Sequence, residues 1–142
     1  MEDLVQWLSE QLDYDETIAR RAANREKGGA RWAFADMQVR AGDGAPVARH
    51  TWVEEGEHIA EHDPERVLRE IDAKRKLLIL HRPVRRADFT ESDGSPAGPL
   101  VVCHECDANT TDADWPDMPC WTLRFLAAPY ADRAGYKENW RP

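Results

Sequence analysis

Leu4, Leu8 and Leu12, then Ile18, Ala19 and Ala22, recur at helical spacing among charged residues, with Trp7 near the same side. This period predicts an amphipathic helix over residues 3–24. Acids crowd its first turns and Arg20, Arg21 and Arg25 its end, the order that the helix dipole favours, and Gly28 and Gly29 close it. The period then shortens to two. Trp32 and Phe34 alternate, Met37 and Val39 alternate one step out of phase, and residues 41–46 form a turn cluster. Val47, Arg49, Thr51 and Val53 then alternate against Ala48, His50 and Trp52. A β-hairpin is expected here, with a bulge near Ala35 and Asp36.

Asp63 and Pro64 suit the N-cap and first position of a long second helix. Val67, Leu68, Ile71, Leu78 and Ile79 supply its buried stripe. The run Leu77 to Leu80 is apolar on every side, which predicts a helix end central to the core, and Pro83 stops it. Residues 88–99, with Gly94, Pro96, Gly98 and Pro99, read as a loop and not as a domain boundary. Leu100 to Cys103 is a short strand entering a cysteine cluster. Thr122 to Ala128, with Leu123, Leu126 and Ala127 on one side, is a short helix closed off by Pro129, and Tyr136 and Trp140 anchor a docked tail. The fold class is therefore α+β: an N-terminal amphipathic helix, a β-hairpin, a long second helix, a zinc-knuckle loop and a short C-terminal helix. Residues 1–142 are expected to form a single small globular domain.

Composition supports a buried core, because 42% of the 142 residues are hydrophobic and six are tryptophan. A domain of this size hides roughly 68% of its unfolded surface. The net charge of −8 is banded. Residues 1–16 carry six acids and no base, 17–50 seven bases and three acids, and 51–72 eight acids and two bases. Residues 73–90 then carry six bases and one acid, and 91–142 nine acids and four bases. Nucleic-acid binders gather Lys and Arg on one face of a basic domain, which the chain as a whole does not do. The segment 74–86, with Lys74, Arg75, Lys76, Arg82, Arg85 and Arg86, can still form a local basic patch; otherwise it is a solvated helix face. No run approaches 18 apolar residues, and Met1, Glu2 and Asp3 do not open a secretion signal. No membrane association and a cytoplasmic location are expected.

Three cysteines in a reducing compartment bind metal more often than they form bridges. Cys103-His104-Glu105-Cys106 has the Cys-x-x-Cys spacing that lets two thiolates meet one tetrahedral metal, and Cys120 follows across a polar loop. A clamp at both ends would order that loop, which carries Asp107, Asn109, Thr110, Asp112, Asp114, Pro116 and Pro119. For the fourth ligand His81 ranks first, His104 second and a carboxylate third. Three cysteines and a histidine would close the coordination sphere, making a zinc structural. Ordinary buried or free thiols and iron–sulfur chemistry are the other readings. A dithiol redox site lacks its βαβ setting, and the zinc deaminase pattern lacks its upstream His-x-Glu.

His58-Ile59-Ala60-Glu61-His62 matches the His-x-x-Glu-His pattern of inverted zinc proteases, which raises a metal-dependent hydrolase at His58, Glu61 and His62. Asp63 and Pro64 start a helix just after it, so the pentapeptide straddles a break, and a surface or helix-start role is the simpler reading. His50 is expected on a hairpin face. Glu54 and Glu55, read on a strand, point to opposite faces and do not share a reacting group. Phosphate loop, nucleophile elbow and dinucleotide fingerprint are all missing.

The segments His58 through Leu68, Ala73-Lys74-Arg75, Cys120-Trp121-Thr122-Leu123-Arg124, Pro129-Tyr130-Ala131-Asp132 and Trp140-Arg141-Pro142 together carry a likeness, as does the opening Asp3 to Leu8. They resemble a family of small actinobacterial and actinophage proteins known as a domain of unknown function. The resemblance implies a bacterial or phage cytoplasmic protein and brings no activity with it. With no catalytic set, the expected function is a zinc-stabilised module that binds another protein. Trp32, Trp52, Trp115, Trp121 and Trp140 are candidate anchors, or else core residues. The alternatives are a nucleic-acid binder using 74–86 and the hydrolase at His58.

Overall fold

A computed structural model describes residues 2–24, 29–85, 94, 101–108 and 118–142. Within them helices and strands mix in the α+β order α1 (Glu2–Ala23), β1 (Trp32–Ala35), β2 (Gln38–Ala41), β3 (Pro46–Arg49), α2 (Val53–Glu61), α3 (Pro64–Leu80), β4 (Pro83–Arg85), β5 (Val101–Cys103), α4 (His104–Ala108) and α5 (Trp121–Ala127). Arg25, Gly28, Arg86, Leu100, Trp115 and the expected loop over 88–99, Gly94 excepted, lie outside the described residues. The chain divides into two compact units, residues 12–73 and residues 1–11 with 74–142.

In the 12–73 unit, β1, β2 and β3 pair antiparallel in that order. The expected single hairpin is a three-stranded meander. Asp36 and Met37 have φ of 51° and 59°, and they form the two-residue turn joining β1 to β2 where a bulge was expected. A methionine at positive φ carries no turn signal, so this turn was hidden in the residue pattern. The register shift falls instead between Val39 and Arg40. The last alternating run also ends early. His50, at φ 58°, turns the chain out of β3, and Val53 opens the helix α2. Glu54 and Glu55 therefore lie in a helical first turn, where they complement the dipole, and not on a strand.

Asp63 does cap the next helix. Its carboxylate accepts from the Arg66 backbone N–H at 2.8 Å and from the Trp32 backbone N–H at 3.1 Å, so one buried side chain joins α3 to β1. Phe34 packs over Gly56 of α2. A methyl group at Gly56 would overlap the Phe34 ring and sit 2.8 Å from Thr51 Oγ1. Alanine normally favours a helix over glycine by about 1 kcal/mol. Gly56→Ala should reverse that sign and destabilise by roughly 1–3 kcal/mol in denaturant unfolding, because the ring must move.

In the other unit the core gathers Leu4, Trp7, Leu8, Leu78, Val102, Leu123, Ala127, Tyr130 and Trp140. The Trp7 indole N–H donates to Ala134 O at 3.0 Å, and its ring centre lies 5.3 Å from Trp140 and 5.8 Å from Tyr136. The tail is docked as expected. The end of α3 departs from expectation: Leu78 is 6% exposed, but Leu77, Ile79 and Leu80 are 37%, 64% and 46% exposed. The chain leaves the helix at Leu80 for β4, so a single face is covered there among the described residues. Ile18 on α1 is likewise exposed. Pro83 begins β4, three residues beyond the helix end, and Pro129 lies in a 3-10 turn continuing α5. Among the described residues no helix is long and apolar enough to cross a membrane.

Candidate metal centre

Four elements deliver four side chains to one point. α3 ends at Leu80 and His81 follows, its backbone N–H bonded to Leu77 O at 2.9 Å. The next residues form β4, which pairs antiparallel with β5 and sets Pro83 opposite Cys103. The His104 N–H to Arg82 O bond, 3.0 Å, extends that ladder and closes the step from His81 to Cys103. His104 then opens α4, and Cys106 lies in its first turn. Cys120 sits in extended backbone at the N-cap of α5. Just before it, Pro119 O accepts from Arg124 Nε at 2.9 Å.

The His81 Nδ1 atom lies 3.3 Å from Cys103 Sγ, 3.6 Å from Cys120 Sγ and 3.7 Å from Cys106 Sγ. All four donor atoms lie within 4.8 Å of one another, and the three cysteines form no disulfide. One ring nitrogen has one hydrogen or one lone pair, so three near-equal sulfur contacts are not three hydrogen bonds. Their lengths are close to the N-to-S edges of a tetrahedral metal site. With Zn–S about 2.3 Å and Zn–N about 2.0–2.1 Å, tetrahedral ligands stand about 3.6 Å apart for N to S and about 3.8 Å for S to S. Cys103 and Cys120 are fully buried, Cys106 and His81 half-buried.

The Cys106 and Cys120 thiols resist ionisation where they sit. Burial, with the adjoining Cys103 and Cys120 thiols, pushes Cys106 up to about 12, and burial raises Cys120 against the pull of the nearby Leu123 backbone N–H. Clustered thiols with no cation stay protonated. A divalent ion reverses that preference and binds them as thiolates, releasing protons. Three soft sulfurs and an imidazole suit zinc or another thiophilic ion and leave no position for substrate.

A family model described as a family of unknown function, DUF6221, matches residues 1–142. The chain belongs to this family. No curated protein and no solved structure matches it.

The other sequence candidates are not brought together. His104 is exposed and lies outside the four-atom group, which is the sole cluster of three or more potential metal ligands among the described residues. His58, Glu61 and His62 are exposed at the end of α2. The two ring centres lie 4.3 Å apart with the planes tilted by 39°, His62 Nδ1 bonds the His58 carbonyl at 2.8 Å, and the Glu61 carboxylate lies 3.7 Å from Arg66. No third ligand joins the pair among the described residues. In the basic segment, Lys74 is engaged with the Tyr130 hydroxyl at 3.3 Å and with the Tyr130 ring. Of the tryptophans, Trp140 is core, Trp32 half-buried, and Trp52 and Trp121 exposed. The strand β4 was missed. Pro83-Val84-Arg85 is too short to show a period, and its partner is remote in sequence.

Proposed function

We propose that this chain is a non-enzymatic protein-interaction module, held together by a structural zinc ion on His81, Cys103, Cys106 and Cys120, in the cytoplasm of a bacterial or phage-infected cell. The observation that carries the metal reading is the near-equal spacing of His81 Nδ1 from three sulfurs. A closed donor set suits a scaffold and not a reaction. The interaction reading is supported by α5, whose outer side carries Trp121 and Phe125, 60% and 59% exposed, with rings 5.9 Å apart and the Arg124 guanidinium over Trp121. Exposed Trp and Arg are common anchors of interfaces.

Zinc removal tests the reading. Stripping the protein with a strong chelator should lower its thermal midpoint by more than about 10 °C, in a single transition if residues 1–142 are one domain, and an equivalent of zinc should restore it. A midpoint indifferent to chelation and to added zinc would overturn the structural role.

A further inference from the structure

Between β1 and α2, within the 12–73 unit, lies a cleft of about 410 Å³ that the metal centre does not explain. Its wall on β1 is aromatic. Trp32 and Phe34 are two residues apart, so they share a face of the strand. Both side chains are held in place. Trp32 donates its indole N–H to Gly29 O at 3.2 Å and its backbone N–H to buried Asp63, and Phe34 rests on Gly56, where no side chain intervenes. The opposite wall is acidic. Glu57 and Glu61 stand four residues apart on α2 with Ala60 beside them, so both carboxylates border the same opening. Arg66 lies 3.7 Å from the Glu61 carboxylate, while its guanidinium donates to Glu61 O at 3.1 Å and to Glu70 at 2.9 Å, and Glu57 has no ion-pair partner among the described residues.

Aromatic side chains beside two carboxylates in one cleft are complementary to one kind of group, a planar cation. A guanidinium stacks on an indole and forms paired hydrogen bonds with a carboxylate, whereas an ammonium does neither as well. The chain's net charge of −8 would also draw a basic partner. We propose that this cleft binds the arginine side chain of a basic segment of the partner protein. The proposal rests on the interaction reading above and does not involve the metal.

The test is calorimetric titration of the full chain with an acetylated Gly-Arg-Gly-Arg-Gly amide, its lysine analogue and its citrulline analogue, the last having arginine's shape without its charge. The arginine peptide should bind at low salt and weaken as salt rises. Glu57→Gln and Glu61→Gln should each weaken it roughly fivefold, and the citrulline peptide should bind at least about tenfold more weakly. The double variant should keep its melting temperature and its metal content while losing the peptide. No binding at low salt, equal binding of the lysine or citrulline peptide, or undiminished binding by the double variant would overturn the proposal. Metal content measured on the same samples separates the two ideas: a metal-free protein that binds the arginine peptide removes the zinc reading and leaves the cleft standing.

Discussion

Replacing Cys103 by serine should strip the metal from the chain and lower its thermal midpoint by about 15 °C, corresponding to a loss of about 4 kcal/mol. Cys103 is fully buried, closes the β4–β5 pair opposite Pro83, and makes the shortest sulfur contact with His81. Serine is a poor ligand for zinc, and removing one of four ligands leaves two thiolates and an imidazole facing an incomplete sphere. Structural zinc contributes folding free energy outright, because the unfolded chain holds no preformed site. A buried hydroxyl also costs about 1–3 kcal/mol on its own. The two causes are separated by measuring metal per chain alongside the melt. Cys106→Ser, at a half-buried position, gives the cleaner contrast: metal should be lost there with little burial penalty. A Cys103→Ser protein that melts early but keeps a full equivalent of zinc would show that packing alone is responsible.

Trp7→Ala should cost about 3–5 kcal/mol, the range for truncating a buried aromatic residue. The indole is 9% exposed, donates to Ala134 O, and stands edge-on or tilted to Tyr130, Tyr136 and Trp140, with centroids between 5.3 and 6.4 Å. It therefore ties the first turns of α1 to the C-terminal tail. Gly135 approaches so closely that a methyl there would lie 2.8 Å from Trp7 Nε1, and its φ of 86° needs glycine besides. Asp3 with Lys137 makes a second link between the same segments, at the surface, where an ion pair contributes little. Trp7→Phe should keep most of the ring contacts and lose about 1–2 kcal/mol for the smaller ring and the unpaired Ala134 carbonyl. Unfolding in urea checks both values. A Trp7→Ala variant within about 1 kcal/mol of wild type would mean that the tail is not part of the core.

The long helices were legible because their signals are local. Leu4, Leu8 and Leu12 repeat every four residues, and Asp63-Pro64 announces a helix start that the Asp63 bonds bear out. Two short features were not. The turn at Asp36 and Met37 uses a residue that rarely takes positive φ, and α2 begins inside a stretch whose alternation reads equally as strand. Gly56 decides that contest through packing, since Phe34 fits over a glycine helix face. For the candidate metal centre, the clustering of Cys103, Cys106 and Cys120 was suggested by spacing, and that of His81 by its place at the end of a helix. The premise for His81 was only partly sound. That helix end is not central to the core, as Ile79 and Leu80 show, yet His81 reaches the sulfurs because β4 returns alongside β5. Long-range pairing of that kind leaves no periodic trace in three-residue strands.

Native mass spectrometry of the freshly purified full chain, with elemental analysis of the same sample, tests the metal centre most directly. The account predicts one zinc per chain, released on denaturation and missing from Cys106→Ser. A folded wild-type chain with no metal, melting at the same temperature with and without added zinc, would contradict it.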